Sequence, residues 1–163
     1  MAAQPKVCVV GAGPAGLAMA RALKTADIAF DVFERNPDVG GIWSTDYPGS
    51  PMYDSAHFIS SKGAATSTFR GHPFPDSAAI YPSHADVLAY LKGFAEAEGL
   101  YPHIRFSTPI NAIDHRGERW RVLAEGLTAQ YDAVVCASGT LWDPIVPDFP
   151  GIDSFKGTIR HSV

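Results

Sequence analysis

The sequence predicts an α/β fold: a parallel sheet flanked by helix, with an antiparallel β-meander inserted late in the chain. Three observations carry this. Lys6 to Val10 is a short β-branched run that ends on a glycine-rich turn, passes into an Ala-rich helical stretch and returns as a second strand, Ala29 to Glu34. Such a strand, helix and strand make a βαβ unit, which needs a parallel sheet. Between residues 104 and 131, "NAIDH", "RWRVLA" and "LTAQYD" are short runs parted by His115-Arg116-Gly117 and Glu125-Gly126, the pattern of an antiparallel meander. Ala133 to Ala137 is then continuously apolar, as expected of a central parallel strand.

The totals bound the function. The chain has 163 residues, enough for one domain with a real core. Apolar residues make up 46% and charged residues 18%, the usual balance of a globular domain. A net charge of −4 gives no reason to expect nucleic acid or an anionic membrane surface as partner. No apolar run reaches the ~18 residues of a membrane span. The start "MAAQPKVCVV" lacks the basic, apolar and cleavage regions of a signal peptide. Cys8 and Cys136 each sit in an apolar run and read as buried, reduced thiols of a cytoplasmic protein. They have neither metal-ligand spacing nor the C-x-x-C redox spacing.

The elements follow in order. "LAMARALKTA" places apolar residues at helical spacing between the first two strands. From Asn36 to Ile80 no period is sustained, and many of the 15 glycines and 13 prolines fall there. A stretch of that length usually carries a site or wraps one. Ser83 with Asp86 three residues on has capping-box spacing. Val87, Leu88, Leu91, Phe94 and Ala95 give the following helix one apolar face, and Gly99 ends it. The Pro-rich "DPIVPDFPGI" leads to "FKGTIRHSV".

The chemistry lies in the first turn. Gly11, Gly13 and Gly16 form G-x-G-x-x-G between a strand and a helix. The first glycine permits the tight turn, the second lets backbone approach a pyrophosphate, and the third lets helix and strand pack closely. Glu34, 18 residues after Gly16, ends the second strand, where a carboxylate can accept from the ribose hydroxyls of an adenosine. The order of strand, glycines, helix, strand and acid is a Rossmann-like dinucleotide site. Arg35 could meet a 2′-phosphate. Against a simple nicotinamide site stands "NPDVGGIW": a second glycine pair, Gly40-Gly41, then Ile42 and Trp43, which suits a bulkier cofactor running further into the protein. A plain turn with a core tryptophan is the structural alternative.

Together, "GAGPAGLAMARAL", "VFER", "GGIW", "YPSHADVLAYL", "VVCASG" and "FKGTIRH" resemble the class B flavin-dependent monooxygenases, comprising the flavin-containing and the Baeyer–Villiger enzymes. The resemblance runs through essentially the whole chain. Its most specific part is F-x-G-x-x-x-H, with Phe155, Gly157 and His161 in place. It implies that residues 1–163 are an FAD-binding domain, incomplete because the NADPH domain and a completing C-terminal strand are absent. It also implies cofactor contacts at Gly11, Gly13, Pro14, Ala15, Gly16, Glu34, Arg35, Gly41, Ile42, Trp43 and Gly139, with Trp43 and Trp142 as candidates to border the flavin.

The activity so implied uses NADPH to reduce FAD and O2 to form a C4a-(hydro)peroxyflavin. One oxygen atom then passes to a soft nitrogen or sulfur, or to a ketone. No side-chain nucleophile is needed, and none is offered: the sequence has no G-x-S-x-G, no H-E-x-x-H and no metal cluster, and its histidines are scattered. One departure stands out. Aligned on Tyr53, Ser55, Ser61 and Lys62, the family's flavin-contacting Asn falls on Ile59, which offers no hydrogen bond. Two other readings stay open at this level: a non-oxygenating FAD-dependent NAD(P)H oxidoreductase, and a non-catalytic dinucleotide-binding module. A dimer or a partner chain completing the sheet is a further expectation.

Overall fold

The computed structural model describes residues 4–47, 50, 52, 55–64, 67–142 and 144–161. β1 (Lys6–Val10) is the hub of a parallel sheet. It pairs on one side with β2 (Ala29–Phe33) and on the other with β7 (Ala133–Cys136), and β2 pairs in turn with β3 (Ile104–Arg105). α1 (Pro14–Thr25) connects β1 to β2, completing the expected βαβ unit. Pro14 suits the first helical position, where its missing N–H has no partner to lose. Leu17, Ala20 and Leu23 recur at helical spacing and bury the sheet-facing side of α1. Burying a leucine such as Leu17 fully stabilises the fold by about 1.5–3 kcal/mol.

α2 (His84–Ala97) closes the same core with Val87, Tyr90, Leu91, Phe94 and Ala95. Its capping box is present: the Ser83 hydroxyl oxygen accepts from the Asp86 N–H, and the Asp86 carboxylate accepts from the Ser83 N–H. The Lys24 ammonium ties the two helix ends together by donating to the Glu98 and Gly99 carbonyls. Residues 36–80 are irregular as expected, apart from a 3₁₀ turn at Gly41–Trp43.

β4 (Ile110–Arg116), β5 (Arg119–Ala124) and β6 (Leu127–Tyr131) form a separate antiparallel sheet. Val122 and Tyr131 on this sheet meet Cys8 and Phe33 in a second small core. A polar weld sits beside it. The Tyr131 hydroxyl donates to Asp31 at 2.6 Å, and the Lys6 ammonium pairs with the same carboxylate at 2.7 Å.

Three expectations are corrected. Ile104 and Arg105 do not open the meander; they pair in parallel with β2. Residues 133–136 are an edge strand, because among the described residues β7 pairs only with β1. Cys136, expected to be buried, is therefore exposed, whereas Cys8 on the central strand is buried as expected.

Candidate functional site

Register decides where the site forms. Val10 stands opposite Phe33 on one side and Cys136 on the other, so three parallel strands end at one level. The chain then leaves each strand into a loop: Gly11 after β1, Glu34 after β2, Ala137 after β7. These loops surround a cavity of about 870 Å³, within the usual ~300–1,000 Å³ of a small-molecule or cofactor site. It lies at the C-terminal ends of the strands, where open α/β sheets bind ligands.

Ten of the predicted contacts line it: Gly11, Gly13, Pro14, Ala15, Glu34, Arg35, Gly41, Ile42, Trp43 and Gly139. Gly16 does not, and its position explains why it is glycine. A Cβ there would fall 1.9 Å from the Gly11 carbonyl oxygen, so Gly16 is what lets α1 sit against the turn. Gly11 has φ +102°, and a Cβ on it would meet the Ala137 carbonyl at 2.5 Å. Gly13 differs from both. It has ordinary φ, a Cβ there would make only van der Waals contact 3.5 Å from Gly41 Cα, and it lines the cavity. Gly11 and Gly16 thus build the turn, and Gly13 leaves room above it.

α1 starts at this point with no side-chain cap on Gly13 and no acid in its first turn. Its unpaired first N–H groups and the positive end of its dipole are turned to the cavity wall formed by Gly13, Pro14 and Ala15. The Gly40-Gly41 pair is locked to this cradle, since the Gly40 N–H donates to the Ala12 carbonyl at 3.1 Å. That bond brings Ile42 and Trp43 to the cavity.

Glu34 is only 5% exposed although it lines the cavity. One carboxylate oxygen accepts from the Ala12 N–H at 2.7 Å and the other from the Asn36 N–H at 2.9 Å. The acid therefore stitches the end of β2 to the middle of the glycine turn. Each oxygen keeps a second lone pair for a further donor.

Sequence reasoning missed part of the wall. Thr108, Pro109 and Ile110 line the cavity from the loop after β3, as do Cys136, Ser138, Thr140 and Leu141 from β7 and its loop. Thr108 is held by its N–H donating to the Glu34 carbonyl at 2.9 Å. Trp142 lines the cavity, with its indole N–H donating to the Ser138 carbonyl at 2.8 Å. Ile59 is 93% exposed and does not line the cavity, and Tyr53, on which its alignment partly rests, lies outside the described residues. Phe155 and Gly157 of the terminal motif touch one another: a Cβ at Gly157 would fall 2.5 Å from the Phe155 ring, which accounts for the F-x-G spacing. Among the described residues no cluster of His, Cys, Asp and Glu could hold a metal ion.

Comparison with known proteins agrees with this geometry. The family model described as flavin-binding monooxygenase-like matches residues 4–163. A Baeyer-Villiger monooxygenase of Streptomyces coelicolor is 36% identical over 161 residues, which cover 96% of this chain and 30% of that protein. The flavin-containing monooxygenase FMO GS-OX5 of Arabidopsis thaliana is 33% identical, again over 96% of this chain but 40% of its own length. The chain thus spans less than half the length of these relatives. A solved structure described as the OTEMO complex with FAD and NADP superposes with a TM-score of 0.74 at 28% identity, covering 97% of this chain and 30% of that one.

Proposed function

The chain belongs to the flavin-binding monooxygenase-like family, and we propose that residues 1–163 are an FAD-binding part of an NADPH-dependent monooxygenase. Its reaction places one oxygen atom of O2 on a soft nitrogen or sulfur, or on a ketone. The observation that carries the reading is the uncapped start of α1 beside the side-chain-free Gly13, at the level where three parallel strands end.

The residues present fit the group. A diphosphate needs donors, positive potential and close backbone approach, and the first turn of α1 at Gly13 offers all three. The ribose hydroxyls need an acceptor, and Glu34 retains lone pairs at the cavity wall. Ile42 and Trp43 give an apolar wall on the far side of the cradle, suited to a flat ring system and to excluding water from it. Hydride acceptance and O2 activation are the chemistry that FAD supplies when bound. The chain's own residues bind, orient and shield. Two cysteines without a disulfide suit a reducing, cytoplasmic setting, and among the described residues no helix is long and apolar enough to cross a membrane. The open edge of β7 is where a further strand or a second chain would complete the sheet.

Gly13→Ala separates the site from the fold. Its methyl has ordinary contacts in the protein but occupies the space a diphosphate needs. Calorimetric titration with FAD and with ADP is expected to show one shared site in the wild type. The variant should bind both about tenfold or more weakly, a loss of roughly 1.4 kcal/mol or greater, with an unchanged melting temperature. Equal affinity in the two proteins, or FAD binding that ADP does not displace, would overturn the assignment.

A further inference from the structure

Arg35 is the first residue beyond Glu34 at the end of β2, and Trp142 follows the turn beyond β7. β1 and its glycine turn lie between them, because the strand order is β2-β1-β7. The guanidinium carbon of Arg35 nevertheless stands 3.7 Å from the centroid of the Trp142 ring. Neighbouring strands lie about 4.8 Å apart, so the ends of β2 and β7 are separated by roughly 10 Å. The two side chains bridge that gap, and both line the cavity.

The two halves of the bridge are built differently. Trp142 is a fixed post. Its indole N–H is held by the Ser138 carbonyl, and its ring nitrogen lies where a Cβ on Gly139 (φ +78°) would approach to 3.1 Å. The turn after β7 is thus shaped to seat the indole. Arg35 is exposed and reaches the ring on a long, flexible stem. One anchored aromatic and one mobile cation, meeting across a cavity mouth, have the form of a clasp.

We propose that Arg35 and Trp142 gate the cradle: the stacked pair must part for a dinucleotide to enter or leave. The proposal rests on the cavity being the dinucleotide site. It differs from a mere contact in its kinetic signature, because a gate slows entry and exit alike. A cation–π contact of this kind, exposed or partly desolvated, corresponds to a roughly two- to thirty-fold effect on an opening equilibrium.

The test measures FAD association and dissociation by stopped-flow flavin fluorescence on the full chain. It is run in about 1 M salt, where the ~3 Å Debye length suppresses steering by the Arg35 charge. Trp142→Leu and Arg35→Met are each expected to raise both rate constants by the same factor, in the two- to thirty-fold range, leaving Kd within about twofold. The double variant should be no faster than the quicker single one, since either change alone opens the clasp. Unchanged rates, a rise in dissociation alone, or multiplying effects in the double variant would each overturn the gate. A ligand-free measurement accompanies these. The Arg35 side-chain protons, lying over the indole, should resonate upfield in the NMR spectrum and move back in Trp142→Leu; no upfield shift in the wild type sinks the pair. If the wild-type chain takes up neither FAD nor ADP, the dinucleotide reading falls and takes the gate with it. Normal uptake with unaltered rates overturns the gate alone.

Discussion

Replacing Glu34 by alanine should harm the fold before it harms binding. The side chain is buried, and its two oxygens accept from the Ala12 and Asn36 N–H groups at 2.7 and 2.9 Å. Alanine leaves both donors without the carboxylate. Hydrogen bonds to a charged group contribute about 1.5–3 kcal/mol each, so the expected loss is about 3–6 kcal/mol. That is a large share of the ~5–15 kcal/mol that holds a domain together, and corresponds to a fall in Tm of roughly 10 °C or more. Glu34→Gln grades the effect. The amide keeps one acceptor oxygen but turns its NH2 toward the other donor, so about half the loss, roughly 1.5–3 kcal/mol, is expected. Urea unfolding of the three proteins, with and without ADP, gives both quantities. ADP at about a hundred times its Kd should stabilise the wild type by ~2.7 kcal/mol. If Glu34 also receives the ribose hydroxyls, that increment shrinks in Glu34→Gln. An alanine variant within about 1 kcal/mol of wild type would refute the reasoning, because the carboxylate would then not be stitching the turn.

Two further outcomes follow from the inter-sheet weld and the thiols. Burial works to raise the Asp31 carboxyl, but hydrogen bonds from Lys6 and Tyr131 outweigh it and leave it below its ordinary value. Its contribution is therefore full above the unfolded value of about 3.9 and is lost as pH falls below that; Tyr131→Phe should cost about 1.5–3 kcal/mol at pH 7 and flatten the acid limb of a stability–pH curve, and an unaltered curve would count against the weld. Burial also pushes the Cys8 thiol up to about 12, while Cys136 is exposed at the cavity. A chromogenic disulfide reagent at neutral pH should titrate one thiol in the native chain and the second only after unfolding; two thiols reacting at one rate would contradict the burial of Cys8.

What could be read from the sequence is what had to be a particular residue. Gly11 and Gly16 face backbone at distances no side chain survives, so the cradle is written in residue types. The Ser83–Asp86 box is similarly local, three residues closing on themselves. What escaped reading depends on neighbours. The apolar run 133–137 looks the same whether one strand or two lie beside it, and so β7's edge position and the exposure of Cys136 were invisible. β3 has two residues, too few to show any period. The wall at Thr108–Ile110 is placed by the Glu34 carbonyl holding the Thr108 N–H, a main-chain bond that leaves no mark on residue type. Arg35 and Trp142 each stood out alone, but only strand order brings them together.

Glu34 shows why fold and site are hard to separate in this cradle. A carboxylate is costly to bury unless donors receive it, and here the donors are the backbone of the very turn that must stay open. Had the Ala12 N–H been left unpaired, the turn could relax toward another partner, and the close approach of Gly16 to Gly11 would be the first contact to suffer. Two of the carboxylate's four lone pairs hold the loop, and the remaining two lie at the cavity wall. The same group that fixes the shape of the phosphate turn thus presents the acceptor for the adjoining sugar. Any substitution that weakens binding here must therefore be judged against the stability it removes, and Gly13, whose methyl the fold tolerates, is the position at which the two come apart.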